Sequence, residues 1–209
     1  MKALLPLSLL LFIFISCEEN EKPATTTTPI KVDTNTIVNK PTANPYVAQD
    51  LSPVDISYFP ADYPVQKMTE ISAPLPVARV IYSRPHKQGR KIFGALIKYG
   101  DNWRLGANEA TELELFRDVT IQGKKVNKGR YILYCKPQEN TWTIIFNTNL
   151  YSWGLKPEPV KDVYKFEIPV ERTQTSVEYF TMVFQPSENG AGLLMAWDDV
   201  KAVLPFTFQ

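Results

Sequence analysis

The chain alternates apolar and polar side chains with a period of two over several short stretches, and this pattern limits the possible folds most strongly. In TELELF, Leu113 and Leu115 alternate with Glu112 and Glu114, and VYKFEIPV and VEYFTMVF repeat the pattern. Such alternation places one face of a strand on a core and the other in water. Turn signals such as QG and NKG separate the stretches, and no window of a dozen residues carries a helical stripe. The sequence therefore predicts an all-β domain, either an antiparallel β-sandwich or a flattened barrel.

Two further stretches, RYILYC and TWTIIFN, are rich in β-formers and apolar on both faces. This composition predicts central strands. Cys135 ends the first of them, and we expect it to be a small buried hydrophobe because a single thiol in the domain has no internal disulfide partner. We expect Trp142 and Trp197 in the core. Trp153, beside turn residues, fits the core or the rim of an opening equally well.

Composition divides the chain into a polar spacer and a folded domain. All 9 glycines and all 4 tryptophans lie after residue 88. Before residue 70 the chain is rich in proline, threonine and asparagine, and such a segment buries too little apolar surface to offset its ordering entropy. The sequence therefore predicts a disordered, proline-rich tether over 17–70 and a β-domain over 71–209. The stretch DISYF near the end of the tether is apolar enough that we expect it to lie against the domain.

The N-terminus has the pattern of a secretion signal. Lys2 gives a positive start, and residues 3–15 form an apolar run that is too short to span a membrane. Ser16 directly before Cys17 resembles the lipobox of bacterial lipoproteins, in which residues 1–16 are removed and Cys17 is acylated. Two or three acyl chains, at about 0.8 kcal/mol per buried methylene, are enough to anchor a protein without a spanning helix.

Acidic residues follow the predicted lipidation site at Glu18, Glu19 and Glu21. They resemble signals that direct some Gram-negative lipoproteins to the outer leaflet of the outer membrane, and they fit an ordinary solvated tether equally well. We therefore expect an outer-membrane lipoprotein of the cell envelope, facing the periplasm or the cell surface. The membrane is its expected partner, through the lipid anchor.

Charge and motif content argue against several classes of function. The formal net charge is +1 and no basic run is present, so we expect no nucleic-acid partner. The chain has 1 histidine and no HExxH motif, Cys/His cluster or phosphate-binding glycine loop. We therefore expect no metal site and no cofactor.

The stretch WRLGANEAT, residues 103–111, combines an aromatic ring, a cation, an amide and a carboxylate. If the alternation of TELELF continues backwards, Glu109 shares the apolar face of Leu113 and points inward. A buried carboxylate is costly unless it is paired, and Arg104 is the cation nearest in sequence. The simplest interpretation is therefore structural: Arg104 and Glu109 brace a tight loop in which Gly106 adopts an unusual backbone angle and Asn108 bonds to the backbone.

The same residues could instead form a binding site. Aromatic faces stack on sugar rings, and guanidinium, amide and carboxylate groups give directional hydrogen bonds. A small polar ligand, a glycan or the end of a peptide would each fit. The candidate ligand-binding residues are Arg84, Arg90, Trp103, Arg104, Asn108 and Glu109.

An enzymatic function is the third interpretation, and no catalytic residue is assigned unless it holds. Glu109 would be the general acid or base of a hydrolase acting on glycans, with Asp101 or Asp162 as the second carboxylate that such chemistry needs. A serine triad would have to use His86, and Ser83 lies too close to it in sequence to be a convincing nucleophile.

Several motifs resemble a family of bacterial lipoproteins catalogued as domain-of-unknown-function family 2911, over roughly residues 75–205. These are SRPHKQGRKIFG, YGDNWRLGANEAT, GKKVNKGRYILY, WTIIFN and YSWG. The resemblance implies an exported domain, but no reaction, substrate or catalytic residue. The matching positions are Ser83, Arg84, Pro85, Gly89, Arg90, Phe93, Gly94, Trp103, Arg104, Gly106, Ala107, Asn108, Glu109, Ala110, Thr111, Gly129, Tyr131, Trp142, Trp153, Gly154 and Asp162. From the residues and the resemblance together we expect a membrane-anchored, non-enzymatic β-module.

Overall fold

A computed structural model describes residues 46–48 and 50–208. The predicted signal peptide, the predicted lipidation site at Cys17 and most of the predicted tether lie outside the described residues. None of the described helices is long and apolar enough to cross a membrane.

The described chain forms one open antiparallel sheet of nine strands, which confirms the all-β prediction. The strands are β1 (Val54–Phe59), β2 (Ala78–Ser83), β3 (Thr111–Leu115), β4 (Val119–Ile121), β5 (Lys124–Val126), β6 (Gly129–Pro137), β7 (Thr141–Asn147), β8 (Asp162–Ser187) and β9 (Gly190–Thr207). The order across the sheet is β1-β2-β3-β6-β7-β8-β9-β4-β5. A short helix, α1 (Tyr63–Thr69), and a 3-10 turn at Pro159–Lys161 are the helical elements of this part of the chain.

The period-two pattern has the predicted structural consequence in β3. Thr111, Leu113 and Leu115 are buried, whereas Glu112 and Glu114 between them are partly exposed. The stretch RYILYC lies in β6 and TWTIIFN forms β7, and these two strands pair with each other in the middle of the sheet. A strand that is covered on both faces needs no polar face, and therefore apolar and polar residues do not alternate in either sequence.

The long strand β8 connects the two halves of the sheet. It pairs with β7 as far as Pro169 and with β9 from Val170 onward, with register shifts between Arg172 and Thr181. The two halves share one hydrophobic core, which contains both the Phe180 ring of β8 and the Tyr82 ring of β2, with 5.7 Å between the ring centroids.

Aromatic rings fill the centre of this core. Trp103 packs against Phe180 at 5.0 Å, Trp142 at 5.6 Å and Trp197 at 6.1 Å between ring centroids. Trp142 and Trp197 are buried, as predicted. Cys135 is fully buried, and this burial raises the pKa of its thiol. A thiol held protonated in this way is a packing residue and a poor nucleophile.

The sequence predicts that the domain begins at residue 71, but the sheet already includes β1, which begins at Val54. Strand β1 pairs with β2 from Val54 opposite Ser83 to Phe59 opposite Ala78. Its Phe59 ring lies 5.2 Å from the ring of Phe208. The apolar stretch DISYF is thus an edge strand of the domain, because its backbone groups find partners in β2.

Candidate functional site

The motif WRLGANEAT forms the loop that enters β3. Leu105, Gly106 and Asn108 all have positive φ values, of 55°, 152° and 56°. The Thr111 hydroxyl donates to the Leu105 carbonyl at 2.6 Å, and Trp103 exchanges two backbone hydrogen bonds of 2.7 Å with Cys135 of β6. A Cβ at Gly106 would lie 2.9 Å from the Ser83 carbonyl oxygen, so only glycine allows the loop to approach β2 this closely.

The prediction of a buried ion pair between Arg104 and Glu109 is wrong. Glu109 is exposed, and Arg104 forms no ion pair with any residue that the structure describes. The alternation of β3 stops at Thr111, because the left-handed backbone at Asn108 turns the chain out of the strand. Leu105, not Glu109, is the fully buried side chain of this loop. The motif does brace a corner, but through Thr111, Trp103 and Gly106.

Three of the predicted ligand-binding residues, Arg90, Trp103 and Arg104, line a single cleft of about 340 Å³. We call it the arginine cleft. Its walls come from segments far apart in sequence that carry three of the motifs identified above: SRP with GR, WRLGA and SWG. The lining residues are Ser52, Pro85, Arg90, Leu96, Ile97, Asn102, Trp103, Arg104, Gly106, Ala107, Gly154, Leu155 and Trp197.

The two arginines of the cleft are held in different ways. Arg90 is exposed, and its guanidinium donates to the backbone carbonyls of Lys87, at 2.8 Å, and of His86. Arg104 is partly buried, with its guanidinium 6.0 Å from the centre of the Trp153 ring. Burial lowers the pKa of Arg104, and the charge of Glu109 offsets part of that effect. Arg104 thus carries a partly desolvated charge that no described carboxylate contacts directly.

Gly154 sets the position of the loop that carries Trp153. A Cβ at Gly154 would lie 2.8 Å from the Ala110 Cβ and 3.2 Å from the Arg104 Cβ. The glycine therefore lets this loop contact the WRLGANEAT loop directly, and the neighbouring Trp153 keeps 54% of its surface exposed.

The other predicted ligand-binding residues lie elsewhere. Glu109 lines a second cleft of about 370 Å³ with Glu112, Arg130 and Trp153, which we call the Glu109 cleft. Arg84 lies in a third cleft of about 350 Å³ beside β1, where it pairs with Asp55 at 3.2 Å.

Asn108 lines none of these three clefts; its amide donates to Asp50 at 3.2 Å on an exposed surface. The six predicted ligand-binding residues are therefore spread over several surfaces of the described domain, and three of them share the arginine cleft.

The carboxylates proposed as partners of Glu109 do not line its cleft. Asp101 is exposed, and Asp162 accepts hydrogen bonds from the Tyr134 hydroxyl at 2.9 Å and the Asn147 amide at 2.8 Å. Burial acts to raise the pKa of Asp162, but the hydrogen bonds from Asn147, Lys165 and Tyr134 outweigh it and lower the pKa. Asp162 is therefore an ionised structural residue.

The one histidine is also engaged. The His86 ring stacks on Tyr179 at 4.4 Å, and its Nε2 lies 2.8 Å from a Glu178 oxygen. Ser83 is buried in β2, and no hydrogen bond joins it to His86 in the part of the chain that the structure describes. The same part contains no group of three or more His, Cys, Asp or Glu side chains arranged to hold a metal ion.

Sequence reasoning missed the apolar side of the arginine cleft. Leu96, Ile97 and Leu155 line it, but none of them shows a pattern that separates a cleft wall from ordinary packing. Their only signal in the sequence is that Leu96 and Ile97 follow IFG and Leu155 follows SWG. A partly buried ion pair was missed as well: the carboxylate of Asp198 lies 2.6 Å from the ammonium group of Lys87.

Fold and site together define the class of the protein: an all-β domain with a small, arginine-lined cleft built from three sequence motifs. Residues 64–206 match the family described as protein of unknown function (DUF2911), and the chain belongs to that family. No curated protein and no solved structure matches the chain.

Proposed function

We propose that this chain is a membrane-anchored envelope lipoprotein whose β-domain binds a small ligand in the arginine cleft without transforming it. One observation carries the proposal: residues of three motifs that lie far apart in sequence, two of them arginines, line one cleft. Its volume of about 340 Å³ falls within the roughly 300–1,000 Å³ of ordinary ligand sites.

A binding role suits the chemistry of the cleft. The cleft is lined by two guanidinium groups, the amide of Asn102 and apolar side chains. Such a combination of polar and apolar groups binds and orients a ligand. As far as the structure describes the chain, the lining contains no carboxylate, histidine or cysteine, and Ser52 is its one serine, so the usual acids, bases and nucleophiles are scarce in the cleft.

A ligand screen on the purified full chain tests this function. The screen covers neutral glycans, short peptides and small organic acids, and it is repeated on Ala107→Trp, which fills the cleft. The matched control is Arg117→Trp, because Arg117 is exposed and does not line the arginine cleft. We expect hits that Ala107→Trp abolishes and Arg117→Trp retains. Hits that survive Ala107→Trp in a folded protein would contradict the proposed site.

The membrane anchor needs its own test. The sequence that motivates it, a short apolar run ending in Ser16 and Cys17, predicts acylation at Cys17. Changing Cys17 to Ala should remove the acyl chains and move the protein from the detergent phase to the aqueous phase. A Cys17→Ala protein that still carries lipid would show that the anchor lies elsewhere.

One observation favours the alternative function, a hydrolase that acts on glycans with Glu109 as general acid or base. Glu109 and Glu112 line the same cleft beside the exposed rings of Tyr151 and Trp153, as a sugar site would require. However, both Glu112 oxygens accept hydrogen bonds from Arg130, at 2.6–3.0 Å. Glycan hydrolysis that disappears in Glu109→Gln would establish this alternative.

A further inference from the structure

The ionised side chains that line the arginine cleft have one sign. Among the residues that the structure describes, Arg90 and Arg104 are the ionised residues of the lining, and no aspartate or glutamate lines the cleft. The closest acidic influence on Arg104 is Glu109, which lines the neighbouring cleft and makes no ion pair with Arg104. The electrostatic field inside the cleft therefore favours an anion.

Both guanidinium groups keep donors for a ligand. An arginine has five N–H donors in a planar fork. Arg90 uses its Nε and Nη2 on the carbonyls of Lys87 and His86, which orients the group, while its Nη1 donates to none of the described residues. Arg104 makes one long hydrogen bond, from Nη1 to the Trp153 carbonyl at 3.5 Å. A bound carboxylate would supply the partners that these groups lack.

Apart from Ser52 and Asn102, the rest of the cleft is apolar. Leu96 and Leu155, at its rim, keep 50% and 66% of their surface exposed, and the Trp103 and Trp197 rings form deeper walls. Covering the two leucines removes apolar surface from water, so an apolar ligand body is favoured over a fully hydroxylated one.

We propose that the arginine cleft binds an organic carboxylate with an apolar body, its carboxylate meeting Arg104 and Arg90 and its body lying between Leu96 and Leu155. This inference rests on the proposed binding function and narrows it to one ligand class. The planar forks of the two guanidinium groups match the two oxygens of a carboxylate, and the apolar side chains of the cleft suit the body of such an acid.

The test compares acids with their uncharged amides. Octanoate, 3-phenylpropionate and N-acetyl-tryptophan are titrated into the purified full chain by calorimetry, each beside its carboxamide. Charge-assisted hydrogen bonds are roughly twice as strong as neutral ones, so the best acid should bind at least about tenfold more tightly than its amide. Arg104→Met should bring the acid to the affinity of the amide, whereas the control Arg117→Met should leave the difference unchanged.

The outcomes separate this inference from the function on which it rests. If acid and amide bind equally well and Ala107→Trp prevents the binding of both, the binding function is retained and the carboxylate inference is overturned. A preference for the acid that survives Arg104→Met and Ala107→Trp would overturn both, since the anion would then bind elsewhere. If no acid of the panel binds the unmodified chain, the carboxylate inference is wrong, and the screen of glycans and peptides still decides the binding function.

Discussion

Gly154 contacts the WRLGANEAT loop so closely that alanine at this position should be costly for two separate reasons. Its φ of 79° lies in the left-handed region, and an added Cβ would lie 2.8 Å from the Ala110 Cβ and 3.1 Å from the Ala110 Cα. Gly123, in the turn between β4 and β5, is a matched control. Its φ is 75°, but nothing lies within 4 Å of its Cβ position.

The two variants share the cost of backbone strain and differ in the steric cost. A left-handed backbone costs a residue with a Cβ about 1–2 kcal/mol, and the lower entropy of the unfolded chain returns about 0.4–1 kcal/mol. Gly123→Ala should therefore lower the free energy of unfolding by about 1 kcal/mol. Gly154→Ala adds overpacking of about 1–3 kcal/mol, since the obstacle includes backbone, and should lose about 2–4 kcal/mol in all.

Urea unfolding measures both losses. The midpoint should fall in both variants at an unchanged slope, and the fall should be about two to four times larger for Gly154→Ala. In thermal unfolding of a chain of this size, each kcal/mol corresponds to about 2–4 °C in Tm. Equal losses in the two variants would refute the reasoning, because they would show that the close approach of Gly154 to Ala110 does not hold the loop.

Three further predictions follow from the ionised groups. Glu109→Gln should change the free energy of unfolding by less than about 1 kcal/mol, because the carboxylate is exposed. A loss of several kcal/mol in urea unfolding would instead support a buried ion pair with Arg104. Glu112→Gln should cost about 1–2 kcal/mol, and a double-mutant cycle with Arg130→Met should be non-additive, because the two side chains share three hydrogen bonds and are partly buried; additive losses would contradict this. The pKa of Asp162 is lowered in the folded state, so its contribution to stability is present above the ordinary carboxyl pKa and is lost as the pH falls through the lower folded value. Asp162→Asn should therefore be less stable at pH 7 and lose less stability between about pH 5 and pH 2 than the unmodified protein, and parallel stability–pH curves would exclude this role.

The strand content and the core could be predicted from the sequence because both depend on local regularities. Side chains of a strand alternate between its two faces, so the period of two in TELELF indicates which residues are buried without knowledge of the strand's neighbours. The burial of Trp142 and Trp197 follows from the apolar stretches around them, and both are buried. The motifs also predicted the family, and the match over residues 64–206 confirms it. The lipid anchor at Cys17 and the tether before residue 46 stay predictions.

Tertiary structure decided which motif residues meet. The prediction that the alternation of β3 extends back to Glu109 is wrong. The backbone at Leu105, Gly106 and Asn108 has positive φ angles, which a strand does not adopt, so the period of two ends at this loop. Whether those torsions are stable depends on non-local contacts, such as the close approach of Gly106 to Ser83.

The arginine cleft likewise depends on pairings that the sequence does not encode locally. Trp103 is fixed by backbone hydrogen bonds to Cys135, 32 positions further along the chain (135 − 103), and Arg104 lies beside Gly154. β1 joins the sheet because β2 offers it a free edge, although its own composition resembles the end of a tether. Local periodicity decides which face of a strand is buried, whereas a site is built from segments brought together by the packing of the whole sheet.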